Sequence, residues 1–131
     1  MVDDLDARLN GFRNLKQGWD SYKAQPPTEA VIGIVRAFLA MLRAEWREPD
    51  RLNPSAVGGI GLTFYSPGLH RGRSVYVEFL NRSDRVLAVQ SGRGELPLRP
   101  VIVPVATDAA GVRVLAAWAR EYLEEKESPR G

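Results

Sequence analysis

The chain has 131 residues, 44% of them hydrophobic, with 18 Lys and Arg against 16 Asp and Glu and a formal net charge of +2. That length predicts one domain over 1–131, with a core large enough to need no staples. With no cysteine and His70 as the only histidine, disulfides, thiolate nucleophiles, zinc fingers, iron–sulfur clusters and His-pair acid–base chemistry are all excluded. Neither a metal nor a cofactor is expected.

No apolar run approaches the roughly 20 residues of a membrane span. The acidic start Met1-Val2-Asp3-Asp4 is unlike a basic signal peptide, so the expectation is a cytoplasmic protein without membrane contact. Arginine supplies every positive residue except Lys16, Lys23 and Lys126. Arginine grips carboxylates, phosphates and aromatic faces where lysine mainly adds solvated charge.

In chain order, Leu5, Leu9, Phe12 and Leu15 recur at helical spacing, with Asp3, Asp4 and Asp6 at the helix start and Gly18 as its stop. Trp19 to Pro27 has no period and ends in two prolines, which makes it a connecting loop. Its large rings predict pinning against the core, with Trp19 between the first two helices, Tyr22 bonding through its hydroxyl and Asp20 closing an Asx-type turn; the alternative is a surface aromatic anchor for a partner. Thr28 is the N-cap of a second helix with a stripe of Val31, Ile34, Val35, Phe38, Leu39, Leu42 and Trp46, ending before Pro49. Arg36, Arg43 and Arg47 fall off that stripe, towards solvent.

Residues 53–59 read as a turn. The period then becomes 2, predicting strands over 60–65, 74–80 and 85–90, the last two a hairpin, and an edge strand over 101–105 broken by Pro104. Asp108 caps a final helix with Val112, Leu115, Ala116, Ala119, Tyr122 and Leu123 inward, and its glutamate-rich end predicts a frayed tail over about 126–131. The expected fold is α+β: a two-layer sandwich of N-terminal helices, a three- to four-stranded antiparallel sheet and a C-terminal helix.

Enzymatic chemistry has few candidates. His70 sits in a Gly/Arg-rich loop, and no Ser occupies a nucleophile-elbow context. Asp20 and Glu78 are the carboxylates that acid–base work could use, and Glu78 is expected to face outward on its strand. Gly58-Gly59-Ile60-Gly61 precedes a strand, whereas phosphate-binding loops follow one, so these glycines mark strand entry or close approach by a facing helix.

Residues 66–100 carry six arginines against three acids. Arg71, Arg73, Arg82 and Arg85, with Tyr76 between them, therefore form the candidate partner-binding surface, suited to an acidic protein. Nucleic acid is the second reading of the same residues, and a carboxylate-based enzyme the third. A homodimer is compatible with either binding reading.

Gly18-Trp19-Asp20-Ser21-Tyr22 with Ala24 and Pro26-Pro27, then a helix, then Gly58-Gly59-Ile60 opening a strand, resembles a group of small bacterial proteins with a GWDSYxAxPP loop and a GGIxL strand. The resemblance covers about residues 10–80, and Lys23 stands where that pattern often has glycine. It implies a shared fold and an accessory role, and it implies no particular chemistry. The resulting expectation is a small non-catalytic interaction module, an accessory, inhibitory or regulatory protein of a bacterial or phage-associated system.

Overall fold

Helix α1 (Val2–Gly11) ends sooner than its apolar spacing predicts. Gly11 weakens helical preference, the chain tightens into a 3-10 turn over Phe12–Asn14, and Leu15 is already extended at φ −73°, ψ 145°. Leu9 and Phe12 are nevertheless buried, with Leu5 and Leu15 packed partly against them. The computed structural model describes residues 2–16, 18–19, 25–55, 57–66, 73–81, 86–91, 99–103 and 109–124. Asp20, Tyr22, His70, Arg71, Arg82, Arg85 and the tail 126–131 lie outside the described residues.

Helix α2 (Glu29–Glu45) starts where its cap predicts, with the Val31 N–H donating to Thr28 Oγ1 at 3.2 Å. Its buried stripe is Val31, Ile32, Val35, Phe38, Leu39 and Leu42, and the Trp46 N–H closes the last turn onto the Leu42 carbonyl at 2.8 Å. Each large apolar side chain buried this fully contributes about 1.5–3 kcal/mol relative to exposure.

Five strands follow as an antiparallel meander in sequence order: β1 (Arg51–Ser55), β2 (Gly59–Tyr65), β3 (Ser74–Leu80), β4 (Val86–Ser91) and β5 (Arg99–Val103). The sheet is wider than expected by β1, which covers part of the predicted turn. Pro54 and Asn53 disguise it, because a strand carrying proline is viable only at a sheet edge. Lacking an N–H, Pro54 must face Ile60 without a ladder bond, and so must Leu52 opposite Leu62. The Leu52 carbonyl therefore points out of the sheet, where Arg8 of α1 donates its Nε–H to it and its second nitrogen to Asn53 Oδ1 at 2.7 Å.

Register sorts the side chains into two faces. Leu52, Ile60, Leu62, Phe64, Val75, Val77, Phe79, Val86 and Ala88 align across the strands and join the helical stripes in one core. Phe38 packs on Phe79 with ring centroids 5.2 Å apart. Helix α3 (Ala109–Glu124) completes this layer with Val112, Leu115, Ala116, Ala119 and Leu123 buried, the inward stripe that its spacing predicts. The expected two layers are present, with the described helices on one side of the sheet.

Candidate functional site

The opposite face of the sheet holds a buried polar cluster. Alternation puts Ser55, Gly61, Thr63, Tyr76 and Glu78 there. Glu78 is 6% exposed although its face carries no described helix. Its oxygens accept from Ser55 Oγ at 2.6 Å and from the Tyr76 hydroxyl at 2.7 Å, and Ser55 Oγ in turn accepts the Val57 N–H at 3.2 Å. The cover is the Tyr76 ring itself, lying across Gly61: a Cβ there would stand 2.7 Å from ring atoms Cε1 and Cζ. Burial first, then the bond to Glu78 and the charge beside it, push the Tyr76 phenol far above its ordinary value. Glu78 thus points away from the helices, as alternation predicts, and is shielded from water by its own neighbours.

Both halves of the sequence motif meet at one end of the sheet. Asn81, just after β3, accepts the Thr28 N–H at 3.0 Å, donates through Nδ2 to the Pro26 carbonyl at 3.0 Å, and donates its backbone N–H to Gly58 at 2.9 Å. Gly58 has φ +94° and Gly59 φ +146°. Of the two sequence-based readings, strand entry holds, since β2 begins at Gly59; a Cβ there would press to 2.9 Å on Leu80 Cα, so the close approach comes from the neighbouring strand and not from a helix. Trp19 is half-buried outside the main core and donates its indole N–H to the Gln25 carbonyl at 3.3 Å. Its bond ties the two described ends of the connecting loop together, and the ring is not among the residues packed on the main core.

Most of the described arginines are bonded within the protein. Arg43 joins Glu48 at 2.5 Å and Asp6 at 3.3 Å. Arg47 reaches Asp50 at 3.1 Å and the Tyr65 carbonyl at 2.6 Å while its guanidinium lies over the Trp46 ring. Both were expected to point to solvent. Arg13, Arg36, Arg113 and Arg120 hold Glu29, Asn10, Glu45 and Glu124. Arg73 donates to the Tyr122 carbonyl at 2.9 Å and stacks over the Tyr122 ring at 5.0 Å, which fastens the sheet to the end of α3. Alternation along β3 then sends Arg73 to the helical face and Tyr76 to the other. These two members of the expected binding surface are not on one surface.

A different concavity lies on the helical side, about 820 Å3 in volume, between the end of α2 and the outer flank of α3. Met41, Trp46, Trp118 and Tyr122 supply its apolar walls. Compared with protein families, curated proteins and solved structures, the chain matches none. The site must therefore be judged on its own chemistry.

Trp46 is immobilised there. Its ring stacks on Phe64 at 5.2 Å and 17°, and its indole N–H donates to Glu124 at 2.7 Å. That bond, ahead of the Arg120 and Arg47 charges and against some desolvation, holds the Glu124 carboxyl below its ordinary range. Trp118, by contrast, is half-buried and its indole has no hydrogen bond among the described residues. Val114, one turn before it, is 65% exposed. A second apolar stripe on α3 at i, i+4 spacing was readable in the sequence, but the inward stripe accounts for most of the helix's apolar residues and hides it. Among the described residues, no three acidic or histidine side chains converge on a possible metal site, and no helix is long and apolar enough to cross a membrane.

Proposed function

We propose that this chain is a small non-catalytic module that binds another protein, and that the α2–α3 groove receives it. The observation that carries the reading is a concavity walled by Trp46, Trp118, Tyr122 and Met41 and bordered by arginines and glutamates. Trp, Tyr and Arg are the residue types that dominate binding hot spots, and methionine adapts to irregular apolar partners. Trp46 is already fixed on Phe64 and Glu124, so part of the site is organised before a partner arrives. The resemblance to small bacterial proteins fits a cytoplasmic accessory, inhibitory or regulatory role.

Nucleic acid is the less favoured partner. A phosphate-binding surface needs free cations, whereas, among the described residues, Arg8, Arg43, Arg47, Arg73, Arg113 and Arg120 are engaged within the protein. The test is affinity purification from the source cells with wild type and Trp118→Ala in parallel, together with the melting temperature of each. A co-purifying protein lost from the variant, at nearly unchanged melting temperature, supports the reading. Equal recovery by both overturns it.

A further inference from the structure

We propose that Asn10-Gly11 is a site of spontaneous chemical modification, at which the side-chain amide of Asn10 is lost as ammonia with the Arg36 guanidinium stabilising the transition state. Asparagine is among the thermally labile residues, and its reaction is intramolecular, because the backbone nitrogen of the following residue attacks the side-chain carbonyl carbon. That following residue sorts the chain's asparagines, Asn10, Asn14, Asn53 and Asn81. Pro54 follows Asn53 and has no N–H to give up. Leu15 and Arg82, after Asn14 and Asn81, carry side chains that crowd the attacking nitrogen, and the Asn81 amide is held at both ends by Thr28 and Pro26. Gly11 has no Cβ, and one built there would meet nothing within 4 Å.

The fold adds two features at Asn10. It and Gly11 are exposed and close α1, where the backbone tightens into the 3-10 turn of Phe12–Asn14. Ring closure needs Asn10 to leave the helical conformation, and residues at a helix end do so most readily, the more so beside glycine. Arg36 of α2 donates from Nη2 to Asn10 Oδ1 at 2.6 Å. Negative charge develops on that oxygen as the nitrogen attacks, so the guanidinium is a preset donor for the oxyanion. The Gly11 nitrogen loses its proton to hydroxide and bonds to Cγ, the Cγ–Nδ2 bond breaks, and ammonia departs with a proton from water. A second water then opens the succinimide at either carbonyl, leaving aspartate or isoaspartate at position 10. The new carboxylate arises beside Arg36 and turns a polar contact into an ion pair, while the net charge falls from +2 by one unit.

The test is incubation of the full chain in warm, mildly alkaline buffer made with isotopically heavy water oxygen, beside an unstructured peptide of the sequence Arg8 to Arg13, with tandem mass spectrometry of both. Aspartate and isoaspartate carrying the heavy oxygen are expected at position 10, with Asn14, Asn53 and Asn81 intact. Arg36→Gln, at an exposed position, should slow the conversion about fivefold, short of the roughly 100-fold of an enclosed oxyanion donor because water competes here. Gly11→Ala should nearly stop it, and circular dichroism checks that each variant is folded. Asn10 still intact after the peptide has converted fully overturns the site. Faster conversion in Arg36→Gln overturns the role of Arg36, since the guanidinium would then be clamping Asn10 in its helical position, and an unchanged rate overturns it as well. Conversion of Asn14 or Asn81 as fast as Asn10 overturns the selection by the following residue.

Discussion

Replacing Gly61 by alanine isolates the contact that keeps Glu78 out of water. The new Cβ would stand 2.7 Å from two atoms of the Tyr76 ring, well inside van der Waals contact. The ring must lift, and its hydroxyl then leaves Glu78, which is 6% exposed and keeps only Ser55. Overpacking costs typically 1–3 kcal/mol, and a hydrogen bond to a charged group contributes about 1.5–3 kcal/mol. Because lifting the ring relieves part of the first while forfeiting the second, Gly61→Ala should destabilise by about 2–4 kcal/mol. In a Tyr76→Ala background nothing opposes the methyl, and alanine is better than glycine inside a strand by about 0.5–1 kcal/mol. The same substitution should then be neutral or stabilising. In a Tyr76→Phe background the ring remains, so the clash should persist. Urea unfolding followed by circular dichroism, with the slope checked for constancy, measures all these differences. An equal cost of Gly61→Ala with and without the Tyr76 ring would refute the account.

Asn81→Ala removes the two side-chain bonds to Pro26 and Thr28 and should cost about 1–3 kcal/mol; amide exchange should quicken at Thr28, and unchanged exchange there would count against the clasp. Trp19→Ala should cost about 1–2 kcal/mol, less than the roughly 3–5 kcal/mol of a truncated core aromatic, because the ring braces a loop from outside the core. The Tyr76 phenol is raised in the folded state, so its contribution is fully present below the ordinary tyrosine value and is lost as pH rises above it. Stability should therefore decline above about pH 10, and Tyr76→Phe should flatten that decline in unfolding experiments at increasing pH.

Periodicity made the helical layer and the central strands legible. The stripe of α2 and the alternation of β2 and β3 each place their apolar residues on one face, and the structure buries them together. The first strand was hidden because Pro54 and Asn53 belong to the vocabulary of turns, and only pairing with β2 makes them strand residues. The end of α1 was misplaced because Leu15 packs against the core from an extended backbone as well as it would from a helix.

The candidate site was less legible, for a reason of distance. An arginine's position in sequence says nothing about its partner, and Arg73 meets Tyr122 across 49 residues while Trp46 meets Glu124 across 78. A local surplus of positive charge looks available until the fold shows, as it does at Arg73, which partner a guanidinium meets. Trp118 escaped notice because it lies on the flank of a helix whose opposite stripe explains the sequence well.

The arrangement at β1 bears on behaviour in a crowded cell. An open sheet edge is an invitation to any extended chain, including another copy of the same protein during synthesis. Here the invitation is withdrawn at two points, by a proline that has no hydrogen to give and by an arginine that has already taken the Leu52 carbonyl. Strand addition along that side would have to displace Arg8 and still leave a gap at Pro54. The molecule is thereby steered away from growth by backbone pairing at this edge.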